Sequence, residues 1–248
     1  MSRNLLITGG SRGIGAATAR LAARQGDTVC ITYLRNAAAA DALVAEIQAT
    51  GRKAHAFQLD VGVETEVVQL FERLDQEIGP IHRLVNNAGI LEQQMRVDQM
   101  DAVRLQRVLT TNVIGSFLCA REAVRRMSTQ AGGQGGAIVN VSSMAARLGA
   151  PGEYVDYAAS KAAIDAFTVG LAREVATEGI RVNAVRPGVI YTDIHASGGE
   201  PGRVDRVKNA VPMQRGGQPE EVARAILWLL SDEASYVTGT FLDVSGGR

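Results

Sequence analysis

The chain has 248 residues, which is enough for one large globular domain with a sizeable core. Its 26 basic and 26 acidic side chains give a formal net charge of zero, which does not favour nucleic acid or an anionic membrane as a partner. No apolar run approaches the roughly 18 residues that a membrane-spanning helix needs.

The first apolar segment begins within a few residues of Met1, which leaves no room for a secretory signal peptide. The two cysteines, Cys30 and Cys119, lie far apart in the sequence and lack the spacing of metal ligands. We therefore expect a cytoplasmic protein with two buried free thiols and no metal site.

Short stretches rich in β-branched residues alternate with helical stretches along the whole chain. The predicted strands cover residues 5–8, 28–33, 53–59, 83–86, 137–141, 180–185 and 240–244. The predicted helices cover residues 14–25, 38–50, 63–78, 100–127, 157–177 and 219–230. Continuous apolar strands separated by amphipathic helices predict an α/β fold: a doubly wound parallel sheet, or Rossmann fold, with helices on both faces.

No linker and no internal repeat divides the sequence, so we expect residues 1–248 to form a single domain. The least regular stretch is 194–217, which contains five glycines and two prolines. Irregular backbone of this length within a compact domain is typical of a binding loop or lid. We therefore expect residues 194–217 to cover a substrate site.

A glycine-rich segment, Thr8-Gly9-Gly10-Ser11-Arg12-Gly13-Ile14-Gly15, joins the first predicted strand to the first helix. Glycines there permit a tight turn and a close approach of the backbone to a phosphate, and the helix N-terminus supplies free N–H groups. A turn that binds nothing is the alternative. The position at the first strand–helix joint of a doubly wound sheet favours a dinucleotide site.

Tyr157 and Lys161 are four residues apart in a predicted helix, so their side chains project from the same face. A phenol has a reference pKa of about 10, and a neighbouring ammonium group favours the phenolate. The spacing suits acid–base chemistry by a tyrosine, although such pairs also arise by chance in amphipathic helices.

These segments, taken in order, resemble the motifs of the short-chain dehydrogenase/reductase family, in its compact single-domain branch. The resemblance covers nearly the whole chain. It rests on the Gly-x-x-x-Gly-x-Gly spacing and on Asp60, 86–89, Asn112, 141–143, Tyr157 with Lys161, and 186–188. It implies an oxidoreductase that interconverts an alcohol with a ketone or aldehyde by hydride exchange with a nicotinamide cofactor.

The choice of cofactor is predicted from the end of the second strand, where NAD-preferring members carry an acidic residue. Residues 32–36 include no Asp or Glu, whereas Arg12 and Arg35 are placed to hold a 2′-phosphate. We therefore predict NADP(H) rather than NAD(H); two surface arginines without a ligand are the alternative. The resemblance implies further cofactor contacts at Gly9, Ser11, Gly13, Ile14, Gly15, Tyr33, Asp60, Val61, Asn87, Ala88, Gly89, Tyr157, Lys161, Pro187, Gly188, Ile190 and Thr192.

The resemblance also implies a division of labour at the reacting carbonyl. Tyr157 would be the general acid and base, while Lys161 would lower the pKa of Tyr157 and hold the nicotinamide ribose. Ser143 would hydrogen-bond the substrate oxygen, and Asn112 would anchor a water that connects Lys161 to solvent. A helix-kink role is the alternative for Asn112, and a cap for the third helix is the alternative for Asp60.

Ser143 precedes Tyr157 by one residue more than is usual in the family. The extra residue fits in the turn-forming stretch 149–152, and Ser142 is the weaker alternative to Ser143. His195, a lone histidine in the lid, is left out of the mechanism.

Within the enzyme class, the resemblance extends to 3-oxoacyl-[acyl-carrier-protein] reductases and glucose 1-dehydrogenases. An acyl carrier protein partner would need basic residues at the mouth of the site, and Arg173 matches one such position while 134–137 lacks a second. A non-catalytic NADP(H)-binding regulator or a structural subunit of the same fold is the alternative. A regulator would be expected to have lost Tyr157, Lys161 or Ser143. The resemblance finally implies a homotetramer.

Overall fold

The computed structural model of the protein describes residues 3–248. In that range the strands are β1 (Asn4–Ile7), β2 (Thr28–Tyr33), β3 (Ala54–Gln58), β4 (Arg83–Asn86), β5 (Gly136–Val141), β6 (Ile180–Pro187) and β7 (Phe241–Val244). They form one parallel sheet in the order β3-β2-β1-β4-β5-β6-β7. The predicted Rossmann sheet is therefore confirmed.

Ten α-helical segments accompany the strands in the described part of the chain. They are α1 (Gly13–Arg24), α2 (Ala37–Ala49), α3 (Glu64–Glu77), α4 (Ala102–Leu109), α5 (Gly115–Met127), α6 (Ala145–Leu148), α7 (Val155–Glu174), α8 (Ile194–Ser197), α9 (Arg203–Val207) and α10 (Pro219–Leu230). None of the helices within residues 3–248 combines the length and the apolar character needed to cross a membrane.

The two faces of the sheet carry separate cores because successive side chains of a strand point in opposite directions. Leu5 and Ile7 pack with apolar side chains of α1, α2 and α10 on one face. Leu6 packs with side chains of α3, α5 and α7 on the other face. Cys30 and Cys119 belong to this second core as buried free thiols, as predicted. Burial raises the pKa of each thiol to about 12.

Two predicted segments differ from the structure. The single helix predicted over 100–127 is α4 and α5 joined by a π-helical turn at Thr110–Ile114. The stretch 194–217, predicted to be irregular, contains α8, α9 and a 3-10 turn at Lys208–Ala210. Val204 and Val211 pack with Val189 in a small apolar cluster of their own, which explains why this glycine-rich stretch has local order.

The order of the strands determines where a ligand-binding crevice forms at the edge of the sheet. Consecutive strands run outward from β1 in one direction, and the chain then returns to β4 on the other side of β1. Loops leave the carboxyl ends of β1 and β4 toward opposite faces, so a crevice forms between them.

Candidate active site

A cleft of 1180 Å³ lies at the carboxyl edge of the sheet. Its wall is built from the segments that follow β1, β2, β3, β4, β5 and β6, together with the first turns of α7, α8 and part of α9. Ordinary ligand pockets measure about 300–1,000 Å³. The cleft therefore has room for an extended ligand and a second, smaller one.

Most of the predicted site residues line this cleft. They are Gly9, Ser11, Arg12, Gly13, Ile14, Tyr33, Arg35, Asp60, Val61, Asn87, Ala88, Gly89, Ser143, Tyr157, Lys161, Pro187, Gly188, Ile190 and Thr192. Two predicted residues, Gly15 and Asn112, do not line the cleft and lie behind its wall. The sequence also missed lining residues that follow the same strand ends, among them Leu91, Met144 and Leu148. The only indication in the sequence was that they lie close to predicted site residues after the same strands.

The glycine loop needs its glycines for two reasons. Gly9 and Gly13 have φ angles of +61° and +54°, a region that side chains with a Cβ disfavour. A Cβ on Gly9 would lie 2.9 Å from Cα of Ala88, and a Cβ on Gly15 would lie 2.7 Å from Nδ2 of Asn87. The loop therefore forms a shallow backbone cradle pressed against the segment after β4.

Side-chain hydrogen bonds fix that contact. The Thr8 hydroxyl accepts hydrogen bonds from the backbone N–H groups of Asn87 and Ala88, both at 3.0 Å. The Asn87 amide donates to the carbonyl oxygens of Thr8 and Gly9, both at 2.9 Å. Asn87 thus has a structural role inside the wall as well as a place on its surface.

The start of α1 is open to an anion. Within residues 3–248, no side chain caps α1 at Arg12, and its first turn holds no acidic residue. The first backbone N–H groups of the helix are therefore free beside the cleft, with the positive end of the helix dipole. This arrangement fits a pyrophosphate group.

Arg12 and Arg35 are exposed at this end of the cleft. In the described part of the chain, neither guanidinium makes an ion pair or a side-chain hydrogen bond. Arg20, by contrast, pairs with Glu46 at 2.8 Å. The two free cations fit a phosphate on the adenosine ribose.

Asp60 does not act as the cap of α3. Its carboxylate Oδ1 accepts from the backbone N–H of Gly62 at 2.9 Å, and α3 begins after Val63 without a side-chain cap within residues 3–248. Asp60 closes a turn at the rim of the cleft, so the alternative of a helix cap is not what the structure shows.

Tyr157 and Lys161 lie in the first two turns of α7, and both line the cleft. Lys161 is buried. Its ammonium group donates a hydrogen bond of 2.8 Å to the carbonyl oxygen of Val141, the last residue of β5. Its Nζ atom is 5.6 Å from the centre of the Tyr157 ring. The hydroxyl of Ser143 accepts from the backbone N–H of Ala145 at 3.1 Å, at the start of α6.

The pKa values of the pair depart from the sequence expectation. Burial raises the pKa of Tyr157 to about 12, and the interaction with the Ser143 hydroxyl offsets only part of that rise. Burial lowers the pKa of Lys161 to about 8, against the attraction of Asp165, which raises it. The expected lowering of the Tyr157 pKa by Lys161 is therefore not found, because desolvation penalises the charged form of each group. At pH 7 the phenol is neutral and the amine is charged.

Ser142 and Ser143 have different partners. The Ser142 hydroxyl donates to Asp165 Oδ1 at 2.7 Å and approaches the carbonyl oxygen of Lys161 at 3.2 Å. Ser142 is therefore held against α7, although both serines line the cleft. Asp165 in turn pairs with Arg186 at 2.9 Å.

Asn112 is buried in the π-helical turn between α4 and α5. Its Oδ1 accepts from the backbone N–H of Ile90 at 2.8 Å, and its Nδ2 donates to the Ile90 carbonyl at 3.0 Å and to the Ser160 hydroxyl at 3.1 Å. The side chain thus joins the segment after β4 to α7. π-Helical turns inside α-helices occur frequently at functional sites.

An ion-pair cluster joins the predicted lid to the turn that follows α6. Arg203 of α9 donates to Glu153 at 2.5 Å, and the hydrogen bond from Arg203 lowers the pKa of Glu153. Arg206 pairs with Glu153 at 3.2 Å and also with Glu200. Ala150, in the same turn, has a φ angle of +46°. The longer connection to Tyr157 is therefore a strained turn tied to the lid.

His195 of α8 lies at the edge of the cleft, where its Nε2 is 3.0 Å from the carbonyl oxygen of Ile190. Burial lowers its pKa, so the ring is neutral at pH 7. Residues 3–248 contain no group of three or more His, Cys, Asp and Glu side chains arranged to hold a metal ion.

Comparison with known proteins agrees with this geometry. A family model described as enoyl-(acyl carrier protein) reductase matches residues 9–248. An uncharacterised oxidoreductase of Escherichia coli, YgfF, is 62% identical over 98% of both chains. A 3-oxoacyl-[acyl-carrier-protein] reductase of Synechocystis is 41% identical over 98% of this chain and 95% of its own.

A solved structure supports the same assignment. The crystal structure of a short-chain dehydrogenase from Burkholderia cenocepacia in complex with NADP matches with a TM-score of 0.89. The two sequences are 34% identical, and the match covers 99% of this chain and 97% of the other. Sheet order, glycine loop and sequence relatives agree, and the chain belongs to the short-chain dehydrogenase/reductase family.

Proposed function

We propose that the protein is an NADP(H)-dependent oxidoreductase that reduces a ketone or aldehyde to an alcohol, with Tyr157 as the proton donor. One observation carries the proposal: a neutral phenol, a serine hydroxyl and a charged lysine line the same cleft as a glycine cradle with free arginines at its rim. A relative of known structure binds NADP, which supports the choice of cofactor.

The residues present would hold the cofactor along the whole cleft. The glycine loop and the start of α1 would take the pyrophosphate, Arg12 and Arg35 the 2′-phosphate, and Asp60 with Val61 the adenine. The backbone of residues 87–89 and 187–192 would line the nicotinamide end, with Lys161 on the ribose. When bound, the nicotinamide supplies the hydride.

The chain's own residues then act on the carbonyl oxygen. As negative charge develops on that oxygen, Tyr157 donates its phenolic proton and the Ser143 hydroxyl stabilises the charge. The high pKa of Tyr157 keeps this proton in place at pH 7 until the alkoxide, a much stronger base, takes it. Lys161 is charged below about pH 8 and supports the bound ribose.

The wall beyond Tyr157 favours an acyl substrate over a sugar. It includes the apolar and aromatic side chains of Leu91, Met144, Leu148, Pro151, Tyr154 and Ile194. The charged side chains Glu153 and Arg203 neutralise each other, and so do Glu92 and Arg107 at 2.6 Å. A sugar needs a wall of free polar groups, whereas an acyl chain does not. We therefore propose a 3-oxoacyl thioester rather than glucose, as the Synechocystis relative's name suggests.

Further parts of the proposal concern regions around the cleft. Residues 194–217 act as the lid, held by the cluster of Arg203, Arg206, Glu153 and Glu200. The protein acts as one domain and assembles as a homotetramer. A carrier protein partner is supported by the name of the Synechocystis relative, but within this chain only Arg173 supports it, so a thioester carried by a small molecule is the substrate to test first.

The test is turnover of a substrate panel followed by NADPH absorbance. We expect an acetoacetyl thioester to be reduced with the highest kcat/KM, simple ketones more slowly, and glucose not to be oxidised with NADP⁺. Tyr157→Phe should abolish turnover and leave NADPH affinity nearly intact, whereas Lys161→Ala should impair both. Tight NADPH binding without turnover of any substrate would transfer support to the non-catalytic regulator.

A further inference from the structure

The proposed proton donor lies in the first turn of its helix. α7 begins at Val155, two residues before Tyr157. The preceding residue, Tyr154, makes no side-chain capping hydrogen bond within the described part of the chain. Uncapped first turns leave backbone N–H groups unsatisfied and tend to fray. Something else must hold the turn that carries Tyr157.

That anchor is a buried ion pair next to the tyrosine in sequence. Asp156 accepts from Arg104 of α4, with Nε to Oδ2 at 2.7 Å and Nη2 to Oδ1 at 3.3 Å. The side chains of Arg104 and Asp156 are only 7% and 3% exposed. The two-point contact fixes the direction of the Asp156 side chain as well as its distance from α4.

Arg104 also holds the opposite wall of the cleft. Its Nη1 donates to the carbonyl oxygen of Gln93 at 2.7 Å, in the segment after β4 that includes the lining residue Leu91. Its own position is fixed because Asp101 caps α4 by accepting from the backbone N–H of Arg104 at 2.8 Å. One guanidinium thus links α4, the segment after β4 and the first turn of α7.

We propose that Arg104 and Asp156 are positioning residues that hold the Tyr157 phenol at the reacting carbonyl. The proposal rests on the proposed function, since it assumes that Tyr157 is the proton donor. Reacting groups must be held closely, and a misplacement of about 1 Å can cost about 10²-fold in rate. Breaking the pair should therefore act on the chemical step, without acting on the cofactor site at the other end of the cleft.

The chain provides a matched control at the other edge of the sheet. Arg83, the first residue of β4, pairs with Asp27 at 2.6 Å, and the two side chains are 10% and 7% exposed. Arg83 and Asp27 lie at the amino ends of β4 and β2, at the edge of the sheet opposite the cleft. Asp27→Asn and Asp156→Asn each leave a buried arginine without its carboxylate, so both cost stability in the same way. Only Asp156→Asn should affect catalysis.

The experiment measures kcat and KM for the reduced carbonyl compound, NADPH affinity by fluorescence, and the folded fraction under the assay conditions. We expect Asp156→Asn to lower kcat per folded molecule by about 10²-fold, with the KM and the NADPH affinity within about twofold of wild type. A fall in kcat at unchanged KM indicates loss of an interaction made in the transition state. Asp27→Asn should retain wild-type kcat per folded molecule. Equal kcat in the two variants would overturn the proposal.

A second variant covers the case in which Asp156→Asn does not fold. Arg104→Met combined with Asp156→Leu replaces the pair by apolar side chains, a change that is often neutral or stabilising for buried ion pairs. A stable double variant with reduced kcat supports the proposal, and one with wild-type kcat refutes it. Tyr157→Phe tests the proposed function separately from the positioning role of Arg104 and Asp156. If Tyr157→Phe keeps its activity, Tyr157 is not the proton donor, whatever the result for Asp156→Asn.

Discussion

The charge of Lys161 should make the efficiency of the enzyme depend on pH close to neutrality. Burial lowers the pKa of this amine to about 8, well below its ordinary value of 10.5. The value of kcat/KM for NADPH, measured at saturating carbonyl substrate, reports ionisations of the free enzyme. We expect it to be level from pH 6 to 7, to bend near pH 8, and to fall above it as Lys161 loses its proton.

The size of the fall follows from the pKa. With a pKa of about 8, roughly nine-tenths of Lys161 is charged at pH 7 and roughly one-tenth at pH 9. If only the charged amine supports cofactor binding, kcat/KM should be about tenfold lower at pH 9 than at pH 7. Tyr157 does not add to this change, because burial raises its pKa to about 12.

A substitution at Asp165 tests whether the pKa of Lys161 controls this pH dependence. Its carboxylate raises the pKa of Lys161 against the larger effect of burial. Asp165→Asn removes that charge and keeps the size of the side chain, so the pKa of Lys161 should fall further. The bend in kcat/KM should then shift below pH 8. Glu174→Gln, at the exposed end of the same helix, is the control and should leave the bend in place.

Two results would refute this reasoning. One is a wild-type profile that stays level through pH 9, which would mean that Lys161 keeps its charge or that its charge is not needed. The other is a bend that stays in place or shifts upward in Asp165→Asn, although the variant is folded. The first result would refute the dependence of cofactor binding on a Lys161 charge lost near pH 8, and the second would refute the effect of Asp165 on the pKa of Lys161.

Two further predictions concern the phosphate end. Gly15→Ala should destabilise the protein by about 1–3 kcal/mol, because the added Cβ would overpack against Asn87. Gly170→Ala, the control, has no atom within 4 Å of the added Cβ and should stabilise α7 by about 0.5–1 kcal/mol. Urea denaturation midpoints measure both effects, and equal midpoints would contradict the close contact between the glycine loop and Asn87. Arg35→Ala should weaken NADPH binding about 10- to 100-fold, the value of a charged hydrogen bond, and leave NADH binding unchanged. Arg52→Ala, an exposed arginine at the other edge of the sheet, should change neither affinity.

The sheet was predictable because its central strands β1, β2, β4 and β5 are largely buried on both faces and stand out as short apolar runs. The same reasoning failed over 100–127. A π-helical turn has nearly the apolar spacing of an α-helix, so Thr110–Ile114 was not distinguishable from its flanking helices. The turn depends on the contacts of Asn112 with Ile90 and Ser160, which lie far apart in the sequence.

The candidate site was predictable where a residue type has one chemical use, as in the glycine loop or at Tyr157 and Lys161. It was not predictable where the role depends on partners. Nothing near Asp156 in the sequence points to Arg104, which lies 52 residues earlier and comes into contact only when α4 packs against α7. Likewise, the spacing to Tyr157 only favours Ser143 over Ser142, and the contact of Ser142 with Asp165 is what separates their roles.

Burial shifts the two central pKa values in opposite directions, and this sets the protonation state from which the proposed reaction starts. A spacing argument has the lysine produce a phenolate, which would serve the oxidation of an alcohol. Desolvation instead favours the neutral form of each group, so the pKa of Tyr157 rises to about 12 and that of Lys161 falls to about 8. At pH 7 the cleft therefore holds a phenol with its proton, ready for the alkoxide that forms when a carbonyl is reduced. In the proposed reduction Tyr157 thus starts as a protonated phenol, whereas the reverse oxidation would start from a phenolate, which the surroundings penalise.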